Sequence, residues 1–518
     1  MRIGRVALLA SEVIILGVLI LAARCANHQD VFVDRNIYFT DADCYARMTR
    51  VRLCAAHPGL ILRHHDFENF PTGTTPHTTA PLDYSILGLS ILVKPFASQP
   101  IDLAGALISP LLALVGGLFL WWWSRRMEFC YRWILLILYA VSPILVHGTE
   151  LGRPDHQSLL MLLITVAICA EWSFWAEGST SWSVVSGAAW ASAIWVSSYE
   201  PLVLLILIVL LGLVQRGQSL FQKERRVGWI VFAAIIAIAF AIEQRLPLLS
   251  IFYSNELFKN WSHTIGELAS VSPLNPIWFR WSGYMIVVVP ILIWLSFRKK
   301  VQLPFFIVAL LIVTFGLTIW QARWSYFFVS IFALALPALL ESIKSRTAVW
   351  IAFILSMTPM LRDLDERLWP NESAFAMQIE HRTESAQLRE LAATIRSSET
   401  HPFLAPWWLS PEIAYWSGQP GVAGSSHESL EGIADGARFF LAQDPAQARE
   451  ILDKRRVDWV LAYDSDRVTT NSAAVLGTSA PERPQGRLLD RTPAQAPPFL
   501  VLAAQNQTAK IFKVVNNR

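Results

Sequence analysis

The sequence predicts a polytopic α-helical membrane protein, with about 11–13 transmembrane helices and a C-terminal soluble α/β domain. Three observations lead there. The chain is 54% hydrophobic and only 16% charged, with 22 tryptophans and a mean hydropathy of +0.40. Apolar runs of spanning or near-spanning length recur along residues 1–362, which defines the membrane domain. From residue 363 to 518 the composition turns polar and charged, as a soluble domain requires.

The runs fall near 6–24, 101–123, 132–147, 157–174, 182–198, 201–215, 227–243, 281–297, 303–320, 324–341 and 347–362. Leu82–Phe96 is apolar but short and follows a proline, so it reads as an interfacial or re-entrant helix. MRIGR before the first run resembles a signal peptide, but the spans downstream favour a retained helix. Arg2 and Arg5, then SRRMEFCYR (124–132), QRGQSLFQKERR (215–226), FRKK (297–300) and ESIKSR (341–346), put the basic residues on alternate loops. Cationic loops stay cytoplasmic, which places the N-terminus inside and the C-terminal domain outside; the membrane expected is a bacterial inner (cell) membrane. The large loops 25–100 and 244–280 then lie on the non-cytoplasmic side.

In the C-terminal domain, SAQLRELAATIRSS and DPAQAREILDKRR read as helices, VDWVLAY and PFLVLAA as strands, and ERPQGRLLDRTPAQAPP as a loop-like insertion. No GxGxxG or Walker pattern supports nucleotide binding, and a net charge of +3 gives no footprint for nucleic acid. The five cysteines form no CxxC pair; Cys44 and Cys54 share one loop and are candidates for a disulfide or for two unpaired thiols.

The chemistry-bearing residues lie in the non-cytoplasmic loops. Asp41 and Asp43 open TDADCYARM, followed by Arg47 and Arg50. Hard carboxylate oxygens there suit a divalent cation, and the same residues suit a helix N-cap. His64, His65 and Asp66 precede Phe70-Pro71-Thr72-Gly73; adjacent histidines do not share a face, which speaks against a metal site. Glu150, Arg153, Asp155 and His156 crowd into one short turn, where Pro154-Asp155 also reads as a helix start. Glu267 ends Thr264-Ile265-Gly266-Glu267. Loop carboxylates and the absence of a repeat argue against a transporter, which holds its ionisable groups within spans.

Taken in order, Asp-x-Tyr after the first span, G-R-x-D-H, T-I-x-E, FPTG and Gln321-Ala322-Arg323-Trp324 resemble the oligosaccharyltransferase catalytic subunits, a branch of the C-type (GT-C) membrane glycosyltransferases. The resemblance implies that Asp43 (or Asp41), Asp155, His156 and Glu267 surround a Mg2+ or Mn2+ ion, with Asp43, Asp155 and Glu267 catalytic. It implies that Arg323, with Tyr199, contacts the phosphate of a polyprenyl-(pyro)phosphate-linked sugar. Trp407, Trp408 and Glu267 would face a protein, lipid or glycan acceptor. A single-sugar, mannosyltransferase-like enzyme using a lipid monophosphate is the alternative, and a non-catalytic structural subunit a further one. The chain departs from the family at Pro406-Trp407-Trp408-Leu409, where the family has Trp-Trp-Asp. Leucine accepts no hydrogen bond, so Leu409 leaves open whether an Asn-x-Ser/Thr hydroxyl is recognised.

Overall fold

The computed structural model describes residues 2–216, 222–245, 255–299, 301 and 303–515, with the side chains of 2–5, 215 and 216 excepted. Arg2 and Arg5, the start of the 215–226 loop, Lys300 and part of the 244–280 loop therefore lie outside the described side chains. Two compact units emerge. The first comprises Met1–Val31, Thr78–Leu249 and Glu267–Asn371; the second comprises Phe32–His77, Ser250–Gly266 and Glu372–Arg518.

The first unit is helical and integral to a membrane. Its helices include Arg2–Arg24, Pro100–Arg126, His156–Glu177, Thr180–Val196, Tyr199–Arg216, Lys223–Glu243, Phe305–Trp320 and Ser325–Leu340. Among the described residues, five helices are long and apolar enough to cross a bilayer unaided, or six if one bent pair counts as a span. Other apolar runs are interrupted. The 132–147 run breaks between Arg132–Val141 and Pro143–His147, where Pro143 supplies no amide for the first helix to continue. The 281–297 run is a 3-10 turn, Tyr284–Val288, leading into Val289–Lys299. Arg346–Ser356 and Thr358–Leu368 meet at 46°, with Pro359 in the first turn of the second helix. Ala80–Val93 is helical and exposes Ile91 and Leu92, and the 3-10 turn Lys94–Phe96 that follows exposes Phe96.

Lipid supplies no hydrophobic drive between helices, so close packing must hold them together. Gly187 and Gly228 show how. A β-carbon on Gly187 would sit 2.1 Å from the Gly228 carbonyl oxygen, and one on Gly228 would sit 2.3 Å from that of Ser183. Only hydrogen side chains let these backbones touch. Two buried charges in this unit show how they are matched: Arg225 reaches Glu171 at 2.5 Å, and Arg24, fully buried, donates to the carbonyls of Ala140 (2.7 Å) and Tyr139 (2.9 Å). Those carbonyls end the helix Arg132–Val141, so the cation lies at the negative end of a helix dipole.

The second unit draws on three stretches of chain. Phe32–Val33 and Asn36–Ile37 form a hairpin whose turn residues, Asp34 and Arg35, both have positive φ (47° and 66°). Two positive-φ residues are the requirement of a tight turn between twisted strands. Tyr38, Phe39 and Tyr45 then pack on Tyr415 and Trp416, with ring centroids 5.2–5.7 Å apart. A four-stranded sheet runs in the order Phe403–Leu404, Trp459–Tyr463, Ala509–Val514, Leu500–Gln505. The first pair is parallel and the others antiparallel. The expected strands at 459–463 and 500–505 are present. The segment read as a loop-like insertion instead contains the helix Gln485–Arg491 and a 3-10 turn, with Leu489 fully buried; its prolines flank the helix rather than interrupt it.

Candidate active site

The short turn after His147 is pinned from several directions. The amides of Leu151 and Gly152 donate to the carbonyls of Arg24 and Ala106, and Asn27 Nδ2 donates to Leu151 O. Ser109 Oγ donates to the Arg153 carbonyl. Gly152 takes φ +77°, a conformation that favours glycine. Asp155 then stands at the N-cap of His156–Glu177, but its side chain makes no cap hydrogen bond. Its Oδ1 instead lies 2.6 Å from His156 Nδ1, and Asp155 is 7% exposed. The bland reading of Asp155 as a helix cap is therefore not what its carboxylate does.

Arg153, Glu267, Tyr326 and His147 close a ring of polar contacts. Arg153 Nη2 donates to Glu267 Oε1 (3.3 Å), and Tyr326 OH lies 3.1 Å from the same oxygen. His147 Nδ1 lies 2.9 Å from Tyr326 OH, while Arg153 Nη1 lies 3.3 Å from His147 Nε2. Arginine only donates, so His147 Nε2 must be the lone-pair nitrogen. Its proton is then on Nδ1 and goes to the tyrosine oxygen, whose own proton goes to Glu267. Each contact in the ring then has one donor and one acceptor, which fixes where the Glu267 carboxylate points. Among the described residues, Asp155, His156 and Glu267 are not gathered into a three-ligand group, because Glu267 is held on Arg153 and Tyr326.

Arg323 sits in the 3-10 turn Ala322–Trp324. Its Nη2 lies 2.5 Å from Oε1 of Glu200, which is fully buried, and its guanidinium stands 5.5 Å from the Tyr199 ring centre. Tyr199 OH lies 3.5 Å from Gln321 Oε1. Sequence reasoning singled out Arg323 and Tyr199 but missed Glu200, although its adjacency to Tyr199 at a helix start was a usable signal. It also missed Tyr326, three residues after Arg323, and the 1%-exposed Gln157, whose amide has no hydrogen-bond partner among the described residues.

In the second unit, Asp41 caps the helix Ala42–Ala56, accepting from the Cys44 amide at 3.0 Å. Asp43, in the first turn, accepts from Ser425 Oγ at 2.5 Å. Glu68 is 4% exposed; burial, then the neighbouring charges of Glu428 and Asp43, push its carboxyl up to about 8. Glu428 goes the other way: burial works against ionisation, but His77 and His427 hold it well below the usual carboxylate range. His64 reaches Asp66 at 3.1 Å, whereas His65 stacks on Phe67 with centroids 3.8 Å apart, so the pair diverges as expected. Gly73 of FPTG has φ +74°, and a β-carbon there would lie 2.5 Å from His64 Nε2. Cys44 and Cys54 are both buried; ten residues apart on one helix they are separated by about 15 Å of rise, too far to form a disulfide with each other.

Trp407 Nε1 donates to Asn471 Oδ1 at 2.7 Å, and its ring meets Trp261 and Trp408 edge-on. The Arg467 guanidinium lies 5.2 Å from the Trp408 ring centre, and Trp408 Nε1 is buried with no partner among the described residues. Leu409 is 7% exposed and stands before the helix Ser410–Ser417, a position where its side chain makes no cap bond.

No family model matches the sequence, and no curated protein matches it. Solved structures do match. The oligosaccharyltransferase AglB of Archaeoglobus fulgidus, in complex with an inhibitory peptide and a dolichol-phosphate, aligns over 93% of this chain and 72% of its own, with a TM-score of 0.70 and 14% identity. The A. fulgidus oligosaccharyltransferase in complex with Zn and sulfate aligns over 90% of this chain and 70% of its own, with a TM-score of 0.68 and 14% identity. ArnT from Cupriavidus metallidurans, bound to undecaprenyl phosphate, aligns over 100% of this chain and 99% of its own, with a TM-score of 0.56 and 13% identity. The chain thus shares the fold of these proteins at low sequence identity, and its apolar helices mark it as an integral membrane protein.

Proposed function

We propose that this protein is a membrane glycosyltransferase that moves a sugar or oligosaccharide, with inversion, from a polyprenyl-(pyro)phosphate to an acceptor at the non-cytoplasmic face of a bacterial cell membrane. The observation that carries the reading is the fold, which spans nearly the whole chain and is shared with proteins holding dolichol-phosphate or undecaprenyl phosphate. The acceptor is a protein, lipid or glycan. Leu409 argues against a Ser/Thr hydroxyl contact of the Trp-Trp-Asp kind.

The donor set of Asp155 and His156, a carboxylate beside an imidazole, fits a divalent ion. Asp43 is the ligand that the resemblance assigns in the second unit, in preference to Asp41, whose carboxylate serves a helix cap. Mg2+ or Mn2+ bound there would neutralise charge on the leaving phosphate. Arg323 contributes a fixed positive charge for that phosphate, and Tyr199 lines the same region. Glu267 is oriented by Arg153 and Tyr326, which suits it to accept a hydrogen bond from the attacking group and then its proton. The acceptor atom bonds to the anomeric carbon as the carbon–oxygen bond to the lipid phosphate breaks. Trp407 and Trp408 are the proposed acceptor-side surface.

Purified protein in liposomes, supplied with a labelled undecaprenyl-linked sugar and Mn2+, tests the reading. Asp43→Ala and Asp155→Ala should each lower transfer more than about a thousandfold while the protein stays folded; full activity in both would sink the cation role. A second reading, single-sugar transfer from a lipid monophosphate, is favoured by the end-to-end length match with ArnT. Comparing monophosphate and pyrophosphate donors in the same assay decides between the two.

A further inference from the structure

His77, His427 and Glu428 meet within the second unit, although His77 and Glu428 are 351 residues apart in the chain. His77 Nδ1 lies 2.7 Å from Glu428 Oε1, and His427 Nδ1 lies 3.6 Å from Oε2 of the same carboxylate. The imidazole centroids are 5.0 Å apart and the rings are tilted by 35°. One ligand atom from each residue falls within 4.8 Å of the others, and among the described residues this is the group so arranged.

Two imidazoles facing one carboxylate favour its ionised form, but a second imidazole is more than a simple ion pair needs. If both were protonated, two cations would stand side by side; if one were neutral, its contact would add little charge stabilisation. A metal ion removes the conflict, because neutral imidazole nitrogens and a carboxylate oxygen are all lone-pair donors to it. We propose that His77, His427 and Glu428 hold a divalent transition ion of the Zn2+ class. Imidazole donors select such an ion over Mg2+, which prefers all-oxygen shells. Three protein ligands leave a fourth position for water, and the His77 side chain, 40% exposed, leaves that side accessible. The ion would tie His77, which ends the segment Phe32–His77, to the turn His427–Ser429. Ser425, three residues before Glu428, is the donor to Asp43, so the same turn is coupled to a proposed active-site carboxylate. The ligand set of this ion shares no residue with the one assigned to Asp43, Asp155 and His156.

The test is Co2+ titration of the full-length protein in detergent after removal of metals with a chelator, followed by the visible d–d band. The wild type and Asp155→Asn should both show the band. His77→Ala, His427→Ala and Glu428→Gln should each weaken Co2+ binding by roughly a hundredfold or more, since even outer partners of a ligand are worth about 10–100-fold. Bands unchanged in those three variants would overturn the proposal. So would loss of the band in Asp155→Asn alone, which would put the bound ion on the other centre. A footprint on the wild-type protein avoids any folding defect: Zn2+, and not Mg2+, should protect His77 and His427 from diethyl pyrocarbonate while leaving exposed His57 and His381 reactive. Failure of Zn2+ to protect both histidines would overturn it as well.

Discussion

The two units handle buried charge differently. In the membrane unit several buried charges have a counter-charge or a set of carbonyls: Glu171 with Arg225, Glu200 with Arg323, Arg153 with the partly exposed Glu267, and Arg24 on a helix end. In the second unit Asp435 is likewise paired, with Arg438, Lys454 and Arg455, but two other carboxyls are pushed toward the protonated form. Glu68 is pushed up to about 8, and so is Glu412, through burial and then the nearby charge of Glu384. The contrast follows from what each solvent permits. A bundle in hydrocarbon cannot borrow solvation, so pairing is built in. A domain in water can let a proton do the same job, at the cost of becoming sensitive to pH.

The sharpest way to break this contrast is at Glu171. Arg225→Leu leaves a carboxylate unpaired inside the bundle and should destabilise it by about 3–5 kcal/mol, whereas the double change Glu171→Met with Arg225→Met should recover most of that. Thermal unfolding in detergent, read by size-exclusion recovery, checks both; equal damage from the single and double variants would refute the pairing argument.

A smaller effect is expected in the polar ring. Tyr326→Phe removes the hydroxyl that receives from His147 and donates to Glu267, a charged-acceptor hydrogen bond worth about 1.5–3 kcal/mol. Sugar-transfer kcat should fall about tenfold to a hundredfold with the fold intact, and an unchanged kcat would remove Tyr326 from the positioning of Glu267.

The smallest effect is the pH slope. The Glu412 carboxyl goes from an ordinary value of 4.5 to about 8 on folding. Between those values the folded chain holds a proton that the unfolded chain has lost, so this contribution is complete below about pH 4.5 and disappears as pH rises through about 8. The slope is at most about 1.4 kcal/mol per pH unit. Glu412→Gln should flatten the decline in melting temperature between pH 5 and pH 8, and an unaltered profile would mean the carboxyl ionises normally.

Much of the fold was legible because hydropathy is a local property: each apolar run corresponds to helix, including the runs that proline divides. The short strands Phe403–Leu404 and Ala509–Val514 were harder, since two-residue and Lys-interrupted patterns carry little periodic signal. At the site, short motifs pointed to Asp155, Arg323 and Tyr199, but not to the residues that hold their neighbours. His147 and Tyr326 acquire much of their meaning through contacts with each other and with Glu267, tens to hundreds of positions apart, and sequence spacing cannot encode such contacts. The same is true of His77 with Glu428. Residues 32–77 and 250–266 likewise group with the C-terminal stretch through long-range packing, which a change in composition near residue 363 does not reveal.

The aromatic core that joins Tyr38, Phe39 and Tyr45 to Tyr415 and Trp416 also sets an order of events during synthesis. The early segment leaves the ribosome long before its partners exist. Domains ordinarily fold as the chain emerges, N-terminal parts first. Here the second unit must wait until nearly the whole chain has been made, holding exposed aromatic surface while the membrane helices insert. Truncation near the C-terminus therefore strands the beginning of the protein as well as removing its end.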